Sequence, residues 1–474
     1  MTTSDMQHFF DRSQEFPSKR SPEGRVEDFA EIYHEYAEGA AAKQAGRCSQ
    51  CGIPFCQVYC PLNNNIPDWL RLVNMGRLKE AYEVSQRTNT FPEICGRICP
   101  QDRLCEGNCV VELAGHGAIT IGAIEKYITE VAWENGWVKP KLPCVERSQS
   151  VGIIGAGPAG LAAADMLRVK GFQVTIYDRN GYAGGLLVYG IPCFKLDKVV
   201  VARRVSQLSA MGVKFEMNCN VGVDIPFEEI CHKHDAVLLA IGVHKPREFD
   251  ILGAKVLNGV IQAADYLKES NLNGLEGKDR SHANCSLNAS GKDVVVIGGG
   301  DTAMDCVRTA IRQNAKSVTC LYRRDRKNMP GSQREVAHAE EEGAKFVWLE
   351  TLERLLGKGN VESVESVSTR LGARGASGRV SVENVPGVHH THKANMVIQA
   401  LGFDPENLSE MWGTDSLEVT PWGTVKLSQG SMRTSVDKVF AAGDIVRGAS
   451  LVVWAIRDGR DAAVEIARVL DKQE

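Results

Sequence analysis

A short glycine-rich turn between an apolar run and a helical stretch occurs twice in this chain, about 143 residues apart. The first copy begins at Gly155 and the second at Gly298. The first glycine of such a turn permits a tight bend, the second lets the backbone approach a phosphate, and the third small residue lets the helix pack close to the strand. The free N–H groups at the start of the helix then favour an anion. The repeated pattern therefore predicts two dinucleotide-binding units.

Short apolar runs surround both turns and alternate with helical stretches. Continuous apolar strands separated by helices are typical of parallel sheets that are buried on both faces. The sequence therefore predicts the α/β class, with two Rossmann-like dinucleotide-binding domains. Two segments rich in Gly, Ser and Asn, 270–290 and 357–395, are predicted to be surface loops. The predicted strands are 151–154, 174–177, 236–240, 294–297, 318–322, 396–400 and 439–441.

The first 135 residues differ from the rest and are predicted to be mostly helical. Ile121, Ile124, Ile128 and Val131 are spaced for one apolar face of a helix. A chain of 474 residues is long enough for about three domains. A helical domain followed by two dinucleotide-binding domains fits that size.

The first glycine turn has the features of a flavin site. Asp178 ends the second strand of this unit, where a carboxylate can accept hydrogen bonds from both ribose hydroxyls. The segment ending in Gly443 and Asp444 resembles the second motif of two-dinucleotide flavoproteins, in which the aspartate hydrogen-bonds the ribityl and phosphate part of FAD. Lys195 is expected to be a solvated lysine. The predicted FAD-binding residues are Gly155, Gly157, Pro158, Ala159, Gly160, Asp178, Gly185, Leu186, Gly443 and Asp444.

The second glycine turn is followed by a strand that ends in Arg323 and Arg324 instead of a carboxylate. Arginines at this point can hold the 2′-phosphate of NADP, whereas a carboxylate would favour NAD. The alternative is a solvated arginine pair on a surface turn, and Asp325 directly after the pair slightly weakens the prediction. The sequence favours NADPH over NADH. The predicted NADPH-binding residues are Gly298, Gly300, Asp301, Thr302, Ala303, Arg323 and Arg324.

Eight of the 15 cysteines form two tight groups before the first glycine turn. Only one of the six intervals within the groups has the x2 spacing common in zinc sites, and a disulfide framework needs an oxidising compartment. Iron–sulfur clusters take four thiolates each, and one cysteine of a run can serve the other cluster. Two 4Fe–4S clusters are therefore favoured, with zinc and disulfides as alternatives. The groups are Cys48, Cys51, Cys56 and Cys60, then Cys95, Cys99, Cys105 and Cys109.

Five longer segments resemble the small (β) subunit of bacterial NADPH-dependent glutamate synthase. The same module is similar to the N-terminal half of dihydropyrimidine dehydrogenase. Matches of this length are far more specific than glycine spacing. The segments are RCSQCGIPFC (47–56), EICGRICPQDRLCEGNC (93–109), GGLLVYGIP (184–192), RRDRKNMPGSQRE (323–335) and AAGDIVRGASLVVWAI (441–456).

The resemblance implies ligands for the two clusters. The fourth ligand of the second cluster is either Cys95, the natural thiolate and the favoured choice, or Glu125, because a glutamine has that role in the dehydrogenase. The first cluster would be bound by Cys48, Cys51, Cys56 and Cys109. The second would be bound by Cys60, Cys99 and Cys105 with that fourth ligand.

The resemblance also implies domain order and function. Residues 1–138 would form the helical cluster domain, 150–246 and 402–474 the FAD domain, and 247–401 an inserted NADPH domain. Electrons would pass from NADPH through FAD and the clusters to a large subunit that carries FMN and makes glutamate from glutamine and 2-oxoglutarate, in a hetero-oligomer. No catalytic acid, base or nucleophile is needed, and none is predicted. The alternative is an electron-transfer flavoprotein subunit of a related NAD(P)H–ferredoxin oxidoreductase or transhydrogenase complex.

Composition excludes several other classes. The net charge of −4 argues against a nucleic-acid-binding protein, which usually has a basic surface. No run of about 18 apolar residues is present, so no membrane span is predicted. The first residues lack the apolar core of a secretory signal, and a cytoplasmic location is expected.

Overall fold

The computed structural model describes residues 6–37, 39–249, 251, 256–277, 287–375 and 378–472. The first 135 residues are mainly helical, as predicted, and they pack around the fully buried ring of Trp69. The helix expected from the isoleucine spacing is present, with Ile121, Ile124 and Ile128 buried. The helices of this part are α1 (Pro22–Val26), α2 (Ala40–Ala45), α3 (Phe55–Val58), α4 (Ile66–Asn74), α5 (Leu78–Thr88), α6 (Pro92–Ile98), α7 (Val110–Leu113) and α8 (Ile121–Glu134).

The next part of the chain builds four strands of a first parallel sheet. Its elements are β1 (Ser150–Ile154), α9 (Pro158–Val169), β2 (Gln173–Asp178), α10 (Leu186–Tyr189), α11 (Lys198–Ala210), β3 (Lys214–Met217), α12 (Phe227–Lys233), β4 (Ala236–Leu239) and the short β5 (Lys245–Pro246). β1 pairs in parallel with β2 on one side and with β4 on the other. Alternate residues of these strands belong to cores on opposite faces of the sheet, which explains why the strands are continuously apolar.

A second parallel sheet follows, with the strand order β6-β13-β7-β8-β9. Its elements are β6 (Val260–Gln262), α13 (Ala263–Leu275), β7 (Asp293–Ile297), α14 (Asp301–Arg312), β8 (Ser317–Tyr322), α15 (Gln333–Glu341), β9 (Lys345–Trp348), β10 (Glu350–Leu356), β11 (Ser363–Arg374), β12 (Val380–Lys393) and β13 (Met396–Gln399). β10, β11 and β12 form a separate antiparallel sheet.

The chain then returns to the first sheet and completes it in the order β15-β4-β1-β2-β3. The last elements are β14 (Phe403–Asp404), α16 (Leu408–Trp412), β15 (Val439–Ala441), α17 (Asp444–Arg447) and α18 (Val452–Leu470). β14 pairs antiparallel with β5, so the two connections between the sheets run side by side. α18 packs closely on α9, since a Cβ at Gly459 would lie 2.1 Å from the carbonyl oxygen of Ala159.

All seven predicted strands are present, but the loop predictions are wrong over much of the two ranges; 276–277, 287–290 and 357–362 do lie outside helices and strands, as predicted. β11 and β12 occupy much of 357–395, and α13 extends to Leu275 within 270–290. Residues 278–286 lie outside the described residues. β11 buries Val364 and Ser366, which lie on one face of the strand, while β12 is half-exposed. The polar composition therefore reflects the solvated face of an antiparallel sheet. In the described part of the chain, no helix is both long and apolar enough to cross a bilayer.

Candidate functional site

The first glycine turn connects β1 to α9 and is shaped to admit a phosphate. Gly155 has φ +109°, and a Cβ there would lie 2.3 Å from the carbonyl oxygen of Ala240. A Cβ at Gly160 would lie 2.1 Å from the carbonyl oxygen of Gly155. At Gly157, by contrast, a Cβ would meet nothing within 4 Å. The open side of the turn faces the start of α9, where free N–H groups suit the pyrophosphate of a dinucleotide such as FAD.

The other predicted flavin residues gather around this turn. A Cβ at Gly185 would lie 2.8 Å from the Cα of Gly157, and one at Gly443 would lie 3.0 Å from the Cβ of Ala159. Gly185 and Gly443 directly precede α10 and α17, so Leu186 and Asp444 begin helices next to the turn. The fold thus brings together segments that are far apart in the sequence.

Two carboxylates lie at this site in different environments. Asp178 accepts hydrogen bonds from the backbone N–H groups of Ala156 and Asn180, each at 2.8 Å, which ties the end of β2 to the glycine turn. Asp444 accepts a hydrogen bond from Ser450 Oγ at 2.5 Å. Burial raises the pKa of Asp444 above its usual range, and the bond from Ser450 opposes this shift.

The second glycine turn connects β7 to α14 and repeats the geometry of the first. Gly298 has φ +147°, and a Cβ there would lie 2.3 Å from the carbonyl oxygen of Ala400. A Cβ at Gly300 would meet nothing within 4 Å. The helix begins with Asp301, whose Oδ1 accepts a hydrogen bond from the backbone N–H of Ser332 at 2.9 Å. Thr302 and Ala303 follow in the first turn of α14, and Ala303 is fully buried.

The two predicted arginines of the NADPH site follow the carboxyl end of β8 and differ in their contacts. Arg323 is exposed, whereas Arg324 is half-buried and donates from Nε to the carbonyl oxygen of Val380 at 2.8 Å. Asp325 caps a short turn by accepting a hydrogen bond from the backbone N–H of Asn328 at 3.0 Å. The Asp325 carboxylate, which weakened the NADPH prediction, is therefore hydrogen-bonded within its own turn.

Four cysteines and one glutamate line a single buried cavity between α4, α6 and α8. Glu125 lies at its edge, and its Oε1 accepts hydrogen bonds from Nδ2 of both Asn64 and Asn89 at 3.1 Å. Burial raises the pKa of Glu125 to about 8 and that of the Cys60 thiol to about 12. Coordination by a metal would be needed to hold such buried thiols as thiolates. The five side chains are Cys60, Cys95, Cys99, Cys105 and Glu125.

The other four cysteines form a second neighbourhood inside the helical part. Burial, and to a smaller extent the neighbouring thiols Cys109 and Cys51, raise the pKa of Cys48 to about 11. The pKa of Cys56 is raised in the same way, first by burial and then by Cys109. Cys109, from the second group in sequence, therefore lies with the first group in space. Together this set is Cys48, Cys51, Cys56 and Cys109.

Among the described residues, no three His, Cys, Asp or Glu side chains converge on a point where one metal ion could sit. A zinc ion needs its sulfur ligands about 2.3 Å from a single centre. An iron–sulfur cluster instead holds its thiolates through several iron atoms. The four thiols that line the cavity equal in number the thiolates that one such cluster takes.

The four cysteines of the cavity, here called the cavity set, lie against the part of the molecule built on the first parallel sheet. That part, from β1 to β5 and from β14 to α18, is called the flavin half, and the part built on the second parallel sheet is called the nicotinamide half. Cys95 and Cys99 belong to the same hydrophobic core as Ala159 and Ile456, from α9 and α18. Val453 of α18 lines the cavity itself. The other set packs within the helical core, near several exposed apolar side chains. Those exposed side chains are Ile53, Phe55, Val58, Tyr59, Val110 and Leu113.

Lys195 contradicts its prediction as a solvated residue, because its side chain is 14% exposed. Its Nζ donates to Asp305 Oδ1 at 2.9 Å and lies 3.8 Å from Glu335 Oε2. These carboxylates raise the pKa of Lys195 against the effect of burial. Only the packing of the two sheets brings the three residues together, so no local signal in the sequence could have identified the contact.

Sequence reasoning also missed Gln101 and Arg103, which lie between Cys99 and Cys105. Gln101 is buried in the cysteine cavity, and Arg103 reaches the second glycine turn. Two side chains with several hydrogen-bond donors inside a cysteine run were a signal, but the sequence did not show which surface they would face.

Two known families match the chain, and the boundary between them lies close to the point where the helical part ends and the first parallel sheet begins. Residues 25–137 match the family described as dihydropyrimidine dehydrogenase domain II, 4Fe-4S cluster. Residues 149–459 match the pyridine nucleotide-disulphide oxidoreductase family.

Relatives are similar over nearly the whole chain. The glutamate synthase [NADPH] small chain of Azospirillum brasilense is 58% identical over 463 residues, covering 98% of this chain and 96% of that one. The protein of the same name from Escherichia coli is 45% identical over 469 residues and covers 98% of both chains. The oxidoreductase AegA of Escherichia coli is 44% identical over 458 residues, which are 94% of this chain and 68% of that one.

Solved structures share the two-sheet architecture at low sequence identity. FprA of Mycobacterium tuberculosis in complex with NADPH has a TM-score of 0.56 and 19% identity, covering 69% of this chain and 85% of that one. Thioredoxin reductase of T. acidophilum has a TM-score of 0.51 and 19% identity, covering 69% and 99%. These likenesses show the fold.

Proposed function

This chain belongs to the family of NADPH-dependent glutamate synthase small chains, and from that premise we propose that it passes electrons from NADPH to a separate large subunit. The spatial order of the sites is the observation that carries the proposal. The two glycine turns belong to adjoining sheets, and the cysteine cavity is lined by Val453 of the flavin half. The remaining cysteines lie farther into the helical part, beside exposed apolar side chains.

The residues fit the groups that this function requires. The first turn fits the pyrophosphate of FAD, the second fits that of NADPH, and the buried thiols fit iron–sulfur clusters. When bound, these groups supply hydride acceptance by the flavin and single-electron transfer by the clusters. The protein then has to bind and orient them and to exclude water. No side chain is required as an acid, base or nucleophile, and we assign none.

We propose two 4Fe–4S clusters, bound by the two spatial sets of cysteines. Cys95 is the proposed fourth ligand of the cavity set, and Glu125 is the alternative. Support for Cys95 comes from its position in the lining of the cavity, together with Cys60, Cys99 and Cys105. Glu125 already accepts two amide hydrogen bonds on Oε1. Cys95→Ser should abolish the EPR signal of one cluster, while Glu125→Ala, which removes any side-chain ligand at this position, should keep both. The reverse result would assign the ligand to Glu125.

We propose that Arg323, with Arg324, selects NADPH over NADH through the 2′-phosphate. The exposure of Arg323 and the internal use of Asp325 support this assignment. Loss of a hydrogen bond to a charged group costs about 10- to 100-fold in affinity. Arg323→Ala should reduce the preference for NADPH by this factor. Lys358→Ala, at another exposed position of the same part, should leave it unchanged.

The domain limits are also a proposal. We place the NADPH domain at 247–401, inserted between 150–246 and 402–474 of the FAD domain, after a cluster domain of 1–138. The antiparallel pairing of β5 with β14, directly beside both junctions, supports these limits. We propose a cytoplasmic location, because a reducing compartment keeps the thiols of the two proposed cluster sets from forming disulfides.

The proposed partner is a large subunit that carries FMN and makes glutamate from glutamine and 2-oxoglutarate, in a hetero-oligomer. The names of the relatives as small chains support a partner of this kind. A second candidate function is that of an electron-transfer module in another complex. It is favoured by the match to AegA, because the similar region covers only 68% of that longer protein.

One reconstitution separates these candidates. The chain is purified without oxygen and supplied with NADPH, glutamine and 2-oxoglutarate, with and without the glutamate synthase large subunit. We expect reduction of an artificial one-electron acceptor by the chain alone, and glutamate only when the large subunit is present. Glutamate formation by the chain alone would refute the division of labour. Electron transfer to ferredoxin but not to the large subunit would favour the second candidate.

A further inference from the structure

The cysteine loop between Cys99 and Cys105 places an arginine at the second glycine turn. Arg103 donates from Nη1 to the carbonyl oxygen of Pro330 at 2.6 Å, and its Nη2 lies 3.6 Å from Asp301 Oδ2. The Arg103 side chain is 45% exposed, and that of Asp301 is 40% exposed. A residue of the helical part therefore lies at the open mouth of the nicotinamide turn.

The segment around Pro330 lies directly on the glycine turn. The backbone N–H of Gly331 donates to the carbonyl oxygen of Gly299 at 2.8 Å, and the N–H of Ser332 donates to Asp301 Oδ1 at 2.9 Å. By holding Pro330 and facing Asp301, Arg103 spans this segment and the first residue of α14. Its guanidinium consequently lies beside the first residue of α14, the helix whose N-terminus follows the second glycine turn.

The second glycine turn carries a negative charge that the first lacks, and Arg103 lies next to that charge. α9 begins with Pro158 and has no acidic residue in its first turn, whereas α14 begins with Asp301. A carboxylate at a helix N-terminus is favourable in itself, but it repels a pyrophosphate that binds at the same place. A cation must offset that repulsion. A guanidinium has five N–H donors in a planar fork that suits phosphate oxygens, and Arg103 has donors left beyond those directed at Pro330 and Asp301.

We propose that Arg103 binds the pyrophosphate of NADPH at the second glycine turn, so that the cysteine-rich part completes the nicotinamide site. This inference rests on the proposed function and adds a binding residue to it. Gln101 holds the loop in place: its Nε2 donates to the carbonyl oxygens of Cys95 and Gly96, each at 3.2 Å, and its Oε1 accepts a hydrogen bond from Arg334 of α15. The same loop thus lines the cysteine cavity and carries the phosphate-binding cation.

The test measures the Kd of NADP+ and of NAD+ by anaerobic titration of the oxidised holoprotein, with flavin and iron contents verified for each variant. NADP+ is redox-inert toward the oxidised protein, so its Kd is independent of turnover. Arg103→Ala should raise both constants by about 10- to 100-fold, the effect of losing a hydrogen bond to a charged group. Arg103→Lys should recover part of the affinity. Arg71→Ala, an exposed arginine of the same helical part, should leave both constants unchanged.

Two further comparisons identify the group that Arg103 contacts. NAD+ has the pyrophosphate but not the 2′-phosphate, so Arg103→Ala should weaken the binding of NAD+ and of NADP+ by the same factor. Asp301 would contribute to the site through its backbone N–H at the start of α14, and Asp301→Asn keeps that group and the acceptor for Ser332. Because the variant removes the opposing charge, it should tighten NADP+ binding. If Arg103 only positioned Asp301, the two variants would weaken binding equally.

The proposal is overturned by equal losses in Arg103→Ala and Asp301→Asn, or by wild-type affinity in Arg103→Ala. Failure of the proposed function would look different, because the wild-type protein itself would then not bind NADP+.

Discussion

Lys195 Nζ donates to Asp305 Oδ1 at 2.9 Å across the junction between the two parallel sheets. Lys195 follows α10 of the flavin half, and Asp305 lies on α14 of the nicotinamide half. Glu335 of α15 lies 3.8 Å from the same nitrogen. A buried lysine between two carboxylates favours one relative position of the halves, because a shift that broke these contacts within the interface would leave buried charges without partners.

Removing this lysine should destabilise the protein strongly. Lys195→Met leaves two buried carboxylates without their shared cation, and breaking a buried pair from one side costs about 3–5 kcal/mol. Asp305→Asn should cost less, because Glu335 continues to face Lys195. Chemical denaturation monitored by tryptophan fluorescence gives the comparison. Equal unfolding free energies for Lys195→Met and the wild-type protein would show that the pair does not hold the two halves together.

A second buried pair joins the helical part to the flavin half. Arg204 of α11 donates from Nε to Glu93 Oε1 at 2.7 Å and from Nη2 to Glu93 Oε2 at 2.9 Å. Glu93→Gln should lower the unfolding free energy by about 3–5 kcal/mol. The matched control is Glu80→Gln, which breaks the exposed pair with Arg77 and should cost less than about 1 kcal/mol. Similar losses in the two variants would contradict the role of burial.

Substitution of two glycines in the first turn should show that one, Gly160, is needed for stability and the other, Gly157, for flavin binding. Gly160→Ala puts a methyl group 2.1 Å from the carbonyl oxygen of Gly155, so it should lower the melting temperature even without flavin. Gly157→Ala meets no protein atom within 4 Å, so it should keep that temperature and lose FAD affinity. Differential scanning fluorimetry of the apoprotein and a flavin titration measure the two effects. Tight flavin binding by Gly157→Ala would place the pyrophosphate elsewhere.

His234 should make the protein less stable in acid. Its Nε2 lies 2.9 Å from the hydroxyl oxygen of Tyr177, and burial lowers its pKa from 6.5 to about 4. A histidine with a lowered pKa in the folded protein stabilises the fold above pH 6.5, and that stability is lost as pH falls toward 4. After allowance for solvent screening, the loss should be about 1–2 kcal/mol. His234→Gln should reduce this slope, and His232→Gln, exposed in the last turn of α12 just before His234, should keep it. An unchanged slope in His234→Gln would assign the acid sensitivity to other groups.

The sequence was sufficient for features that depend on local pattern. The two glycine turns, the seven apolar strands and the helix from Ile121 were predictable because each rests on residue spacing within one element. The polar strands β11 and β12 were not, because composition alone does not distinguish the solvated face of an antiparallel sheet from a loop.

The contacts between distant segments could not be predicted either. Lys195 has a polar side chain in a Gly- and Pro-containing segment, which favoured a solvated position, and only the docking of α14 and α15 supplies its partners. Arg103 was one of several basic residues near cysteines, and its contact with Asp301 requires the packing of the helical part on the nicotinamide half.

Electron transfer through this chain is tested most directly by rapid mixing of the anaerobic, cluster-loaded protein with one equivalent of NADPH. Flavin absorbance and freeze-quench EPR are followed together. We expect the flavin to bleach first and reduced 4Fe–4S signals to appear afterwards, with a much slower reaction for NADH. Flavin reduction without any reduced-cluster signal, or equal rates with NADH and NADPH, would contradict a path from NADPH through the flavin to the cysteine-bound clusters.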